Sequence, residues 1–423
     1  GLELDEKLCA KSTLQLFRSK LIVHERYQQV FQASIDACRK SGMLKRKKLE
    51  LALDTTPIFG RGAVKDTFNL ISDQIRKVVH EIVLLKSHDL ESLVAEHGLG
   101  RHFGKSFKSE VTLDWDDAVQ KRALVGQLVA DAHVALELAK GALRGYRKDA
   151  QSTRILREAR DLLADLLLQD IEEIPPDEGG PRIRQGTSPD RVVSTTDQEM
   201  RHGRKSQTKR FDGYKASVAV ESVHGVIVAT DTLAGNAPDS EGAAGLVTKA
   251  SRTCKHRVER VIGDTAYGSM STRKDLEDIR VEVIAKTPPA GGKVGRYRVD
   301  DFKIEAKRGF ARCPAGKRSV RRAPIKLGGW RYVFSSADCL ACPLRNKCTA
   351  AKARSINVGE HTQELKRHRK RQRSQSFRKK YRRRVIAEHR IARLAQLGIR
   401  QARYLGRSKV AFQLSIAATV ANL

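Results

Sequence analysis

Aromatic residues are scarce in this sequence of 423 residues, because phenylalanine, tryptophan and tyrosine together make up only 5% of it. Proteins that read RNA or single strands usually stack bases on such side chains, so the scarcity argues against that class. Seven cysteines are also too few for a disulfide scaffold in a chain of this length. With 40% hydrophobic residues, the chain has ample material for the buried cores of two or three domains.

Long apolar runs are missing as well. No run of 18 apolar residues, no signal peptide and no lipidation motif is present. We therefore expect no membrane partner and a cytoplasmic location.

Acidic residues are outnumbered by basic ones, 49 against 81, which gives a net charge of +32. This excess is far larger than solubility requires and predicts a polyanionic partner, in the first place nucleic acid. Half of it lies in residues 361–410, which contain 18 lysines and arginines and two acidic residues. An association with the nucleoid is therefore expected.

Two segments combine a strand pattern with an aspartate. Leu49, Leu51 and Leu53 alternate with other residues before Asp54, and a β-branched run precedes Asp264. A rigid strand that holds a carboxylate is a common way to build a metal or catalytic site. Residues 55–57 (Thr-Thr-Pro) are expected to end the first strand. For Asp264, capping of the following helix is an alternative role.

The periodicity of the remaining sequence predicts a series of segments. They are an N-terminal helical segment (1–44), a first core strand (45–60), a helical insertion with a linker (61–190), a core hairpin with the second aspartate strand (191–286), a cysteine-rich insertion (287–360) and basic C-terminal helices (361–423). Residues 374–398 are predicted to form one helix, in which Tyr381, Arg384 and Glu388 share a face to within a turn.

These segments together resemble the DDE transposases of bacterial insertion sequences. Tyr381, Arg384 and Glu388 match the Y-x2-R-x3-E signature of one branch, and residues 53–56, 200–215 and 261–268 match its first strand, hairpin and second strand. That branch usually has a lysine seven positions after the glutamate, where this sequence has Ala395. The resemblance also implies a further N-terminal helical region, so we expect a truncated chain.

The resemblance implies an α/β fold: an RNase H-like mixed sheet with flanking helices, interrupted by the helical and the cysteine-rich insertions. It implies that Asp54, Asp264 and Glu388 bind Mg²⁺ or Mn²⁺ for phosphoryl transfer at DNA phosphodiesters. All three carboxylates are expected to be ionised without a raised pKa. Asp197, ahead of the hairpin, is the competing first acid, and Asp54 is preferred because Asp197 lies in a polar stretch.

DNA contacts are expected from Tyr381 and Arg384 near the cut and from the basic residues Arg383, Arg390 and Lys205. Simple helix packing is an alternative role for Tyr381. The partner is double-stranded DNA, both the element ends and the target, and joining two ends suggests a homodimer or a larger assembly.

Four cysteines cluster in the cysteine-rich insertion: Cys313, Cys339, Cys342 and Cys348. Four thiolates in tetrahedral array are a common structural zinc site. The alternative is four reduced cysteines without a ligand, since Cys313 is remote from the other three.

The sequence thus predicts a DDE transposase that cleaves the ends of an insertion sequence and joins them to target DNA. One rival is a catalytically inactive or truncated transposase-derived DNA-binding protein. The alanine at position 395, where the signature has a lysine, and the missing N-terminal region favour this rival. A basic RNA-binding protein is the other, and metal-dependent strand cleavage separates the first hypothesis from both rivals.

Overall fold

A computed structural model describes residues 9–45, 48–147, 150–175, 178–188, 190–206, 208–326 and 328–423. The predicted segments 1–44, 45–60, 61–190, 191–286 and 287–360 each include residues outside these ranges. The α-helices are α1 (Lys11–Val23), α2 (Tyr27–Lys40), α3 (Thr67–Lys86), α4 (Leu90–Glu96), α5 (Ala118–Ala142), α6 (Arg154–Asp170), α7 (Ala243–Cys254), α8 (Met270–Asp278), α9 (Ser336–Leu340), α10 (Thr362–Arg371), α11 (Gln375–Tyr381), α12 (Val385–Gln396) and α13 (Arg407–Asn422). The strands are β1 (Lys48–Phe59), β2 (Ile171–Glu172), β3 (Arg182–Ile183), β4 (Arg201–Arg204), β5 (Arg210–Glu221), β6 (Ile227–Ala234), β7 (Arg257–Gly263), β8 (Glu282–Ala285), β9 (Lys303–Glu305), β10 (Phe310–Arg312), β11 (Ser319–Pro324), β12 (Trp330–Phe334) and β13 (Ser355–Val358).

A six-stranded mixed sheet forms the centre of the structure. Strands β5, β1, β7 and β8 lie side by side in that order, and both β4 and β6 pair with β5. Strand β1 is antiparallel to β5 and parallel to β7, and β7 is parallel to β8. Leu51, Ala52 and Leu53 of β1 are fully buried, as expected for a strand with both faces covered. The α/β class with a mixed sheet is therefore present.

Strand β1 continues through residues 55–57, where Thr-Thr-Pro was expected to end it, and stops at Phe59 within the predicted segment 45–60. Pro57 lies inside the strand and pairs with Lys215 of β5. Residues two apart in a strand direct their N–H groups to the same side, and the Phe59 N–H faces away from β5, donating to the Arg400 carbonyl at 2.7 Å. The missing N–H of Pro57 therefore lies on the side where the β7 pairing has already ended at Ala52, and no ladder bond is lost.

Helices α2, α7, α12 and α13 cover the sheet and complete its core. The last helix also closes the edge of β6 through one side chain. Asn422 accepts a hydrogen bond from the Ile227 N–H at 2.8 Å and donates to the Ile227 carbonyl at 2.9 Å. This amide replaces the neighbouring strand that the edge lacks at this residue.

Each predicted insertion has a hydrophobic core of its own. Helices α3, α5 and α6 enclose one core, in which the fully buried His102 ring lies within hydrogen-bonding distance of Ser72 and Asp131. The cysteine-rich segment encloses a second and smaller core around Phe302, Tyr332 and Phe334. The predicted segment boundaries remain a prediction.

We expect Asn422→Ala to lower the free energy of unfolding by about 1–3 kcal/mol, because the buried Ile227 N–H and carbonyl lose their partner. Chemical denaturation and faster amide hydrogen exchange at Ile227 would measure this. Gln396→Ala, which removes an exposed hydrogen bond to Arg393, is the control and should change little. Equal stability of Asn422→Ala and the wild type would contradict the role of this amide.

Candidate active site

The two aspartates of the strand patterns lie near each other because of the register between β1 and β7. Ala52 is aligned with Ile262, so Asp54 and Asp264 each follow an aligned pair by two residues. Residues two apart in a strand point to the same face, and neighbouring strands are about 4.8 Å apart. The sheet therefore directs both carboxylates to one region, with Asp54 inside β1 and Asp264 directly after β7.

The turn after β7 holds Asp264 in place. Its carboxylate accepts a hydrogen bond from the Ala266 N–H at 2.9 Å and so caps the short 3₁₀ turn Thr265–Gly268. The following helix α8 is capped by Ser269 instead. Asp264 thus caps the 3₁₀ turn and does not cap helix α8. The hydrogen bond from Ala266 is its whole capping role. It occupies one carboxylate oxygen, Oδ1, and is compatible with a functional role for the other.

Glu388 reaches the same region from the C-terminal helices. The single helix predicted for residues 374–398 is not continuous: α11 ends at Tyr381, the 3₁₀ turn Arg382–Arg384 follows, and α12 carries Glu388. Beyond α12 the Phe59 carbonyl accepts a hydrogen bond from the Ala402 N–H at 2.8 Å. The part of β1 that β7 leaves unpaired therefore ties the chain after α12 to the sheet.

Arg384 connects two of the three carboxylates. Its guanidinium lies 3.6 Å from the Asp54 carboxylate and donates a hydrogen bond to Glu388. The Asp54 side chain is 19% exposed and that of Glu388 is 46% exposed. Glu388 is thus the carboxylate of this pair that solvent reaches more easily.

Asp54 does not have the ordinary pKa that the sequence suggested. Burial raises the pKa of Asp54 to about 6, and the negative charges of Asp264 and Glu388 add to the rise. The Thr55 N–H, which donates to this carboxylate at 2.9 Å, and the Arg384 guanidinium act in the opposite direction and lower the pKa. The expectation that no carboxylate has a raised pKa is therefore wrong for Asp54, because a buried strand desolvates it.

Three carboxylates form a donor set of the kind that Mg²⁺ and Mn²⁺ prefer, since both are hard cations with oxygen ligands. In the part of the chain that the structure describes, however, no three side chains of His, Cys, Asp or Glu are arranged as a metal centre. In this region Arg384 is the cation that contacts Asp54 and Glu388. The residues fit a divalent ion in chemistry, and their arrangement here is that of an internal ion pair.

Asp197, the competing first acid, lies in a different environment. It is 2% exposed and accepts a hydrogen bond of 2.5 Å from the hydroxyl of Tyr214. Tyr214 pairs with Ile58, four residues beyond Asp54 and thus about 13 Å further along β1. Asp197 therefore supports the β5 side of the sheet, and Asp54 is the aspartate of this pair that faces Arg384.

The side chains that are expected to contact DNA have different partners within the structure. Tyr381 stacks on Phe377 with a ring separation of 5.6 Å, so the packing role is present. Arg383 forms an ion pair of 2.9 Å with Glu50, and Arg390 donates to the carbonyls of Ala421 and His224.

Lys205 lies exposed in the turn between β4 and β5. The proposed DNA contacts of Lys205, Tyr381, Arg383, Arg384 and Arg390 remain predictions.

Two residues near the carboxylates escaped the sequence reasoning. Tyr267 is 1% exposed, and burial together with the charges of Asp54 and Asp264 raises the pKa of its hydroxyl. Its ring also explains Gly263, where a Cβ atom would lie 2.6 Å from Tyr267. Lys286 follows β8, and its ammonium lies 5.1 Å from the centre of the Tyr381 ring. For Lys286 the available signal was a charged residue directly after a core strand, and for Tyr267 it was an aromatic residue in the short turn after β7.

The four clustered cysteines line one cavity of about 30 Å³ in the cysteine-rich segment. Burial raises the pKa of Cys348, and the other three thiols are close enough to contribute to its environment. Cys313, remote in sequence, is thus near the other three in space. As at the carboxylates, the described residues include no arranged metal centre at this cavity.

Comparisons with known proteins match one part of the chain. Residues 312–423, a little over a quarter of the sequence, match a family model described as transposase DDE domain. The matched span contains Tyr381, Arg384, Glu388 and the four clustered cysteines, while Asp54 and Asp264 lie outside it. The match supports a DDE transposase. Searches of curated proteins and of solved structures found no match.

A search of the described helices for one long and apolar enough to cross a bilayer found none.

We expect Asp54→Asn to raise the melting temperature at pH 8 without divalent ions. Because the folded state raises the pKa of Asp54 from about 4 to about 6, its ionised form opposes folding. This penalty is absent below about pH 4 and complete above about pH 6, and a two-unit shift corresponds to at most about 3 kcal/mol.

Thermal melts from pH 4 to pH 8 test this expectation, with the exposed Asp161→Asn as the control that should follow the wild type. A loss of stability in Asp54→Asn at pH 8 would contradict it.

Proposed function

We propose that this protein is a DDE transposase that cleaves the ends of an insertion sequence and joins them to target DNA. One observation carries the proposal: the β1/β7 register brings Asp54 and Asp264 together, and Arg384 links Asp54 to Glu388. The transposase family match at residues 312–423 supports the same class independently of the two aspartates.

The topology of the sheet supports an RNase H-like core. The antiparallel strands β6, β5 and β1 are followed across the sheet by the parallel strands β7 and β8. The helical insertion interrupts the chain between β1 and β5, and the cysteine-rich insertion interrupts it between β8 and α10. Asp54, Asp264 and Glu388 would thus come from three separate parts of the chain.

Asp54, Asp264 and Glu388 would hold the divalent ions. When bound, a pair of Mg²⁺ or Mn²⁺ ions supplies an activated water or 3′-OH nucleophile and stabilisation of the leaving oxygen. The protein's own contribution is to hold the three carboxylates in place. Burial raises the pKa of Asp54 when no ion is bound, whereas a divalent ion held there would favour its ionised form and lower that pKa.

Double-stranded DNA is the proposed partner, held by the basic C-terminal helices around Glu388. Each phosphate neutralised by a lysine or arginine lowers log K by about 0.9 per tenfold rise in salt concentration. Binding should therefore weaken steeply with salt. A homodimer or a larger assembly would bring two element ends together.

The alternative is a catalytically inactive transposase-derived protein that still binds DNA. Ala395 at the place of the usual lysine favours it, while the presence of all three carboxylates speaks against it.

We expect Mg²⁺-dependent nicking of a labelled duplex that carries the element ends. Asp264→Asn and Glu388→Gln should lower this nicking at least about 100-fold while leaving DNA binding intact, because metal-ion catalysis supplies several kcal/mol. Glu364→Gln, on α10 and beside His361, is the control and should cleave like the wild type. Retained cleavage by either active-site variant would refute the site, whereas binding without cleavage by the wild type would favour the inactive alternative.

We also propose structural zinc at the four clustered cysteines, because their thiols line one small cavity. The purified protein should then contain about one zinc ion per chain, as measured by elemental analysis. The double variant Cys339→Ser and Cys342→Ser should lose the metal and melt at a lower temperature, whereas Cys9→Ser should change neither. Wild-type protein purified without chelator and free of zinc would refute this proposal.

A further inference from the structure

The strongest unexplained feature near the carboxylates is the position of Arg384. It lies in the turn between α11 and α12, its side chain is 23% exposed, and it contacts both Asp54 and Glu388. Its neighbour Arg383 has a different partner, Glu50, and does not share these contacts. Arg384 is therefore placed to act on the carboxylates specifically.

We propose that Arg384 is an internal counter-ion which must leave the carboxylates when divalent ions bind, and which then binds a DNA phosphate. This inference rests on the proposed transposase function and adds a coupling between its two ligands. Metal binding and DNA binding would each favour the other, because both require Arg384 to leave its ion pairs.

Electrostatic repulsion is the reason why Arg384 would leave the carboxylates when a divalent ion binds. The charges of Asp264 and Glu388 act on Asp54, and the charge of Arg384 opposes them. A divalent ion held by the same carboxylates would add positive charge to the groups that Arg384 contacts, and like charges repel strongly at a partly buried site. The guanidinium and the metal thus compete for the same negative charge.

The surroundings of Arg384 carry the second step. Its guanidinium carbon lies 5.9 Å from the centre of the Tyr381 ring, and the Lys286 ammonium lies 5.1 Å from the centre of the same ring. A phosphate beside Tyr381 would therefore be within reach of two cations. A guanidinium can bind a phosphate through two parallel hydrogen bonds, which makes it a suitable new partner for the released side chain.

Reciprocity follows from thermodynamic linkage. If DNA withdraws Arg384 from Asp54 and Glu388, DNA must raise the affinity for the metal, and the metal must raise the affinity for DNA by the same factor. Arg384 is a positioning residue in this scheme, since it sets when the carboxylates become available.

The experiment measures Mn²⁺ binding to the full chain by calorimetry, with and without a short DNA duplex of unrelated sequence. Without DNA, Arg384→Gln should bind Mn²⁺ at least about fivefold more tightly than the wild type, the lower end of ordinary coupling. Arg382→Gln removes an exposed charge from the same turn and should change the affinity much less. Adding the duplex should tighten Mn²⁺ binding in the wild type and leave Arg384→Gln nearly unchanged.

Each outcome decides a separate question. The counter-ion role would be overturned if the wild type and Arg384→Gln bound Mn²⁺ with equal affinity. It would also be overturned if Arg382→Gln increased the Mn²⁺ affinity as much as Arg384→Gln does. If no variant binds Mn²⁺, the metal site of the proposed function fails instead. Should Arg384→Gln not fold, as judged by circular dichroism, the wild type alone decides, because failure of DNA to tighten Mn²⁺ binding would overturn the coupling.

Discussion

The register between β1 and β7 is the constraint on which the candidate site depends. It brings Asp54 and Asp264 to one region of the sheet. As a consequence the Asp54 carboxylate lies inside the buried strand β1, where desolvation raises its pKa. An isolated buried charge would be costly, so the surrounding structure has to compensate for it. The Thr55 N–H and the Arg384 guanidinium provide that compensation.

The end of β7 has a second consequence. It leaves one side of β1 unpaired beyond Ala52, and this side takes up the backbone of residues 400–402. This unpaired side of β1 explains how Pro57 fits inside the strand and how the segment after α12 is anchored to the sheet. One local feature of the sheet therefore helps to position Glu388, more than 300 residues after Asp54 in the sequence.

The basic residues near the site are not equivalent, although the sequence shows them as one charge run. Arg383 is bound to Glu50, which also pairs with Arg260 at 2.7 Å, so this arginine belongs to an ion-pair network at the start of β1. Arg390 is held by two backbone carbonyls, while Lys205 extends into solvent. A surplus of positive charge predicts a polyanionic partner, but the individual contacts decide which cations are available to it.

The sequence alone determined the local elements and the candidate residues. The alternation of Leu49, Leu51 and Leu53 marked β1, and the β-branched run before Asp264 marked β7. These features are local, because side-chain alternation and helical periodicity follow from the backbone geometry of a single element. The tertiary structure alone decided how Pro57 fits inside β1, the raised pKa of Asp54, the break between α11 and α12 and the contact of Arg384 with two carboxylates. Each of these depends on burial or on pairing between residues far apart in the sequence, which no local pattern records.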